Sequence, residues 1–296
     1  MRRTLVTVAT TARRLAVTLS FLAACIVVAV WLECLTPAHR EAGVLAASTN
    51  LDNLSHGHLL TLITSAFFRD SELTLLSVIG LGAVLGVAEL RWGHRRMATV
   101  FAGGHIGATL LVAAGLALGA HHGWVPDSWR AATDVGVSYG VVAIAGALTG
   151  EWPSELRPLW AFGWLAVLGT ELAVGRTFTQ AGHLCALLLG FAAAGWLRRR
   201  GSGARRAPIG LLATGSAALA VGQGGLPWWV RAAAAAVATV GLVLLADAVA
   251  ARRSGHDPGA RGLPERGYSR WRHLLRPERN TPWPPVRQGS TTSATT

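Results

Sequence analysis

The chain has 296 residues, of which 51% are hydrophobic and only 14% charged. A soluble protein carries about 25% charged residues, so a soluble globular domain is excluded. The net charge of +12 comes from arginine alone, with no lysine in the sequence. In an apolar chain such a basic excess marks cytoplasmic loops and tails rather than nucleic-acid binding. Long apolar runs with short polar breaks describe a polytopic membrane protein. The runs are continuous rather than alternating, which argues against a β-barrel. Cys25, Cys34 and Cys185 all lie in apolar segments, so no disulfide framework is expected.

Residues 1–14 carry Arg2, Arg3, Arg13 and Arg14 and are expected in the cytoplasm. A first span is predicted over 15–35, with Glu33 at its outer end and no small-residue cleavage site before Pro37. Residues 36–71 read as a long external segment. Its apolar pieces, Leu51–Leu54 and Leu59–Phe68, are too short to span and suit an interfacial or re-entrant element. His56 and His58 have no carboxylate or cysteine to complete a metal site and read as solvated.

A second span is predicted over 73–90, followed by a cytoplasmic loop with Arg91, Arg95 and Arg96. The third, 97–119, holds Gly103 and Gly107, a small-xxx-small face for close helix packing. His105 lies about 12 Å inside its cytoplasmic edge, where an imidazole bonded to a neighbouring helix is the ordinary reading. Residues 120–133 read as external. The fourth span is predicted over 134–150, with Thr133 or Asp134 as its N-cap. The fifth is placed at 159–174 and the sixth at 181–197, closed by Arg198, Arg199, Arg200, Arg205 and Arg206. Two more spans, about 208–226 and 228–251, meet at Gly224-Gly225-Leu226-Pro227, and a basic, Pro- and Trp-containing tail, expected to be disordered, runs from Arg252. The arginines give one topology: eight spans, both termini cytoplasmic. Arginine without lysine, together with abundant alanine and glycine, suggests a GC-rich bacterial genome and hence a bacterial inner membrane.

In that topology spans four and six run the same way. Ser138, about four residues into span four, and His183, two or three into span six, fall at matching depth. Serine is a weak nucleophile until a base takes its proton, and an imidazole must reach it at about 3 Å. Gly136 and Gly140 flank the serine and allow a helix to approach closely. Amide groups in the first turn of span four could stabilise an oxyanion. Asp134 could cap the helix or orient the histidine. On spacing alone, interhelical hydrogen bonding by Ser138 competes with catalysis.

The ordered set of features resembles the rhomboid family of intramembrane serine proteases over residues 15–200. It comprises Leu60–Phe67 before the second span, Glu89 and Gly93 as E-x-x-x-G, Gly136-Val137-Ser138 as the nucleophile motif, and Gly182-His183 followed by Gly190 as the sixth-span motif. The resemblance implies a six-helix all-α membrane core plus two C-terminal transmembrane helices, with Ser138 as nucleophile and His183 as general base. Tyr139 stands where the family has a glycine, Ala186 replaces the first glycine after the histidine, and the family's H-x-x-x-N positions hold Leu73 and Ser77. Gly136, Tyr139, Ser77, His105 and Asp134 are the supporting or oxyanion candidates. The implied partner is a single-span membrane protein, cut as substrate or bound as client by an inactive relative, within the lipid bilayer; no cofactor, metal or nucleic acid is implied. A small-solute transporter is disfavoured: no inverted repeat is visible, and Glu33, Glu171 and Asp247 are the few intramembrane acids.

Overall fold

The computed structural model describes residues 12–69 and 75–199. The two predicted spans at 208–251, the tail, and the side chain of Ser77 lie outside the described residues. Every regular element among those described is helical. In chain order these are α1 (Ala16–Glu33), α2 (Pro37–Ala47), α3 (Leu51–Ser55), α4 (Thr61–Thr64), α5 (Leu75–Trp92), α6 (His94–His121), α7 (Ser138–Ala147), α8 (Arg157–Gly175) and α9 (Phe178–Arg199). Helices α1, α6, α8 and α9 are each long and apolar enough to cross a membrane.

The breaks between helices have local causes. Gly93 separates α5 from α6 with φ +79, a left-handed value that glycine adopts without a Cβ penalty. Thr36 and Pro37 start α2: the Thr36 hydroxyl accepts the His39 amide at 3.4 Å and proline occupies the first turn. Asn50 caps α3 by accepting the Asn53 amide at 2.8 Å. Helices α2, α3 and α4 fill the segment expected to be external. As its short apolar pieces suggested, none of the three is long enough to span.

Helix α7 is the centre of the bundle, and every residue from Tyr139 to Ala147 is buried. It reaches that position because small residues line both of its neighbours. A Cβ built on Gly104 of α6 would stand 2.1 Å from Ala143 Cβ. One on Gly190 of α9 would stand 2.2 Å from the Ala143 carbonyl oxygen, and one on Gly146 2.6 Å from that of Leu187. The last two are contacts with backbone atoms, and all three leave no room for a side chain, so glycine is required at each. The contact order, Tyr139 on Gly182, then Gly146 on Gly190, then Gly150 on Ala194, makes α7 and α9 parallel. Helix α8 adds the Trp160 indole N–H, donated to the Ala145 carbonyl at 3.0 Å.

Two expectations are corrected. On α6 the tight position is Gly104, not Gly103, beside which a Cβ would meet nothing; Gly107 does press close, on Leu189. Successive residues on a helix are turned by about 100°, so a one-residue offset changes the face. Helix α7 also starts at Ser138, not at residue 134, and its ten residues cover roughly 15 Å. The Tyr139 carbonyl lies against Gly104, and the Tyr139 and His105 rings are 6.3 Å apart. His105 is the twelfth residue of α6, roughly 16 Å from the end that carries the arginines. The start of α7 is thus near mid-height in the bundle rather than in its outer few ångströms.

Candidate functional site

The polypeptide enters α7 through an irregular segment held from outside the helix. The Asp134 amide donates to Ser48 Oγ at 2.8 Å, and the Thr49 amide donates to the Asp134 carbonyl at 3.1 Å. The Gly136 amide donates to the Ser65 carbonyl at 2.8 Å. Gly136 has φ +132, which a side chain would strain, and this kink turns the chain into the helix. Neither Thr133 nor Asp134 is the N-cap: Val137 is, without a side-chain cap. Asp134 is buried, 8% exposed, on the approach segment. The tertiary hydrogen bonds account for the displaced start, since they satisfy the backbone of 134–136 without helix.

Ser138 is therefore the first residue of α7, half-buried and at a helix start whose amide donors have no side-chain cap. His183 lies on α9, 4% exposed, and neither ring nitrogen has a hydrogen-bond partner. The two side chains belong to one level of the bundle, because Tyr139, next to Ser138, packs on Gly182, next to His183. They are not hydrogen-bonded to each other. Tyr139 instead meets the His183 ring edge-to-face, with centroids 5.3 Å apart. Its hydroxyl is buried against the side chains of Asp134 and Thr179.

His105 joins a second cluster. Its Nε2 is 3.2 Å from Ser65 Oγ, and Ser65 Oγ is 3.0 Å from Thr49 Oγ1, whose hydroxyl donates to the Thr61 carbonyl at 2.6 Å. His105 Nδ1 is buried without a partner. His105 is thus the imidazole bonded to a neighbouring element that its mid-helix position suggested. Of the supporting candidates, Gly136 and Tyr139 adjoin Ser138, Asp134 lies in the segment before it, and the His105 ring lies 6.3 Å from Tyr139 at a tilt. Ser48, Thr49 and Ser65, which hold the approach segment, had no sequence motif to mark them; the one signal was a polar Ser48-Thr49-Asn50 run buried between apolar helices. His56 and His58 are exposed, and their Nδ1 atoms lie near local acceptors, the Asp52 carbonyl and Asn53 Oδ1.

A family model described as "Rhomboid-like protein" matches residues 11–203, well over half of the chain. The chain belongs to the rhomboid-like family. Comparison with curated proteins and with solved structures found no significant match.

The end of this rhomboid-like fold that carries the arginines is held by two buried carboxylates. Glu89 of α5, 1% exposed, accepts the Val17 amide at 2.9 Å and the Thr18 amide at 2.8 Å. It thereby caps α1 from another helix, satisfying donors at a helix start that has no side-chain cap of its own. His94 Nδ1 completes the set at 2.5 Å. Glu151, in the turn after α7, pairs with Arg91 and accepts the Trp92 indole N–H at 2.8 Å. The resemblance thus acquires a physical reason: Glu89 ties α1 to α5, and Gly93 makes the turn that brings His94 back to Glu89. Among the described residues, no group of His, Cys, Asp or Glu is arranged to hold a metal ion.

Proposed function

We propose that this rhomboid-like membrane protein is an intramembrane serine endopeptidase that cuts a single-span membrane protein. The observation that carries the reading is the Ser138/His183 level. A half-buried serine at an uncapped helix start lies one residue from the contact that seats a buried histidine with both nitrogens unpartnered. Buried imidazole nitrogens without partners are costly and call for a reason. In unliganded enzymes catalytic hydrogen bonds are commonly long and tighten on the substrate. In the proposed reaction Ser138 Oγ attacks the scissile carbonyl carbon while His183 takes the hydroxyl proton. The C–N bond then breaks, His183 returns the proton to the leaving amine, and water hydrolyses the acyl-serine. The first-turn amide groups of α7, which no side chain caps, would receive the oxyanion. The protein would lie in a bacterial plasma membrane with both termini cytoplasmic, cutting its substrate from the outer half of the bilayer.

A second reading is a relative that binds helical clients without cutting them. Tyr139 favours it, because the ring packed on His183 stands where the family has a glycine. Fluorophosphonate labelling of the purified full-length protein decides between the two. Labelling that is lost in both Ser138→Ala and His183→Ala supports the peptidase. A folded wild-type protein that takes no label rejects it and leaves the client-binding reading.

A further inference from the structure

A cleft of about 240 Å³ opens between α1, α4 and α6, running from the arginine-bearing end up to His105. Val17 and Phe21 of α1, Phe67 of the α4 segment, and Met97, Ala102 and His105 of α6 form its walls. The wall is apolar from end to end, apart from the edge of the His105 ring. From Met97 to Ile106 it follows nine residue steps of α6, roughly 14 Å, close to half of a ~30 Å hydrocarbon core. The cleft therefore has the length of the hydrocarbon half of one leaflet.

Its mouth is basic. Val17, at the lower end on α1, follows Arg13 and Arg14; Met97, at the lower end on α6, follows Arg95 and Arg96. These two helix starts converge on one carboxylate, since the Val17 amide and His94 Nδ1 both bond Glu89 Oε1, at 2.9 and 2.5 Å. Glu89 itself is enclosed, its side chain wholly buried. Arg13, Arg14 and Arg95 are exposed. Neither helix has an acidic residue in its first turn, and the start of α6 has no side-chain cap. Cationic side chains and the uncapped amide groups of the α6 start, beside the end of an apolar cleft, complement a phosphate headgroup joined to an acyl chain.

We infer that the α1/α6 cleft binds one anionic glycerophospholipid from the leaflet on the arginine side. Its phosphate lies at Arg13, Arg14 and Arg95 and one acyl chain runs up past Phe21 toward His105. Such a lipid would brace α1 and the α4 segment, which meet through Phe21 and Phe67 at a ring separation of 5.0 Å.

The test is native mass spectrometry of the full-length protein in a neutral detergent. It is titrated with phosphatidylglycerol, with phosphatidylcholine of the same chains, and with glycerol 3-phosphate. One tightly held phosphatidylglycerol per chain is expected. An interfacial arginine is worth about fivefold for an anionic lipid, so Arg13→Gln/Arg14→Gln/Arg95→Gln weakens it on the order of 100-fold, to the phosphatidylcholine level. Ala102→Trp fills the cleft and lowers occupancy with all arginines intact; Ala98→Leu is a milder filling change with the same direction, and circular dichroism confirms helix content in each variant. Equal retention of both lipids would overturn the inference, as would a triple variant that binds like wild type. Competition by glycerol 3-phosphate at matching concentration would mean an anion site with no role for the chain, and would overturn it too.

Discussion

The Tyr139 ring stands edge-to-face against the His183 imidazole at 5.3 Å, with its hydroxyl end lodged on Gly182. This contact fixes the level at which α7 and α9 meet, and so the relation between Ser138 and His183. A Cβ on Gly182 would stand 2.3 Å from the Tyr139 ring. Gly182→Val should destabilise the protein by about 1–3 kcal/mol through overpacking. Tyr139→Phe should cost on the order of 1 kcal/mol, because the hydroxyl it removes is buried against the Asp134 and Thr179 side chains. Reversible unfolding in mixed micelles measures both; no loss in Tyr139→Phe would mean that the hydroxyl has no partner.

Gly136 sets the direction from which Ser138 enters the helix. With φ +132 it occupies backbone space that alanine tolerates poorly. Gly136→Ala should cost about 1–3 kcal/mol and slow fluorophosphonate labelling of Ser138 more than that loss of stability explains. The check is the labelling rate at a temperature where wild type and variant are both fully folded. An unchanged rate would show that the kink does not position the serine.

Much of this arrangement is legible in the sequence, and the rest has a physical reason for being hidden. Helices α1, α6, α8 and α9 begin and end within three residues of their predicted spans, because uninterrupted apolar runs mark them. The start of α7 was misplaced because Thr133-Asp134 has the form of a local cap, while the bonds that override it come from Ser48, Thr49 and Ser65, some 70 or more positions earlier. Helix α2 did carry a local signal, threonine then proline, at the start of the external segment, where only the later apolar pieces were read as interfacial or re-entrant elements. The choice of Gly104 over Gly103 depends on helix rotation, which glycine spacing alone leaves open. The parallel course of α7 and α9 follows from counting spans, whereas the packing of Tyr139 on His183 depends on side-chain contacts that no motif encodes.

Glu89 does by tertiary contact what an N-cap usually does within one helix. Its removal leaves the amides of Val17 and Thr18 without acceptors in a closed environment. Glu89→Ala should cost about 3 kcal/mol. Glu89→Gln, which keeps one carbonyl acceptor, should lose about half as much. Hydrogen exchange at the two amides provides the specific readout. Exchange should accelerate in Glu89→Ala well beyond the change seen across α9, and equal acceleration everywhere would mean a global effect instead.

The Arg91–Glu151 pair joins the end of α5 to the turn after α7, with both side chains under 10% exposed. Removing one partner leaves the other charge buried, a loss of about 3–5 kcal/mol. The two single changes should differ. Glu151→Leu strands the Arg91 guanidinium and also the Trp92 indole N–H, which donates to Glu151 Oε1. Arg91→Met leaves Glu151 its bond from Trp92, so it should be the milder of the two. The double variant strands no charge and should be markedly more stable than the sum of the singles predicts, with a coupling of about 1–3 kcal/mol. A double-mutant cycle read by unfolding in mixed micelles measures that term. Strict additivity would mean that the carboxylate serves mainly Trp92, and that the arginine contributes through packing of its stem alone.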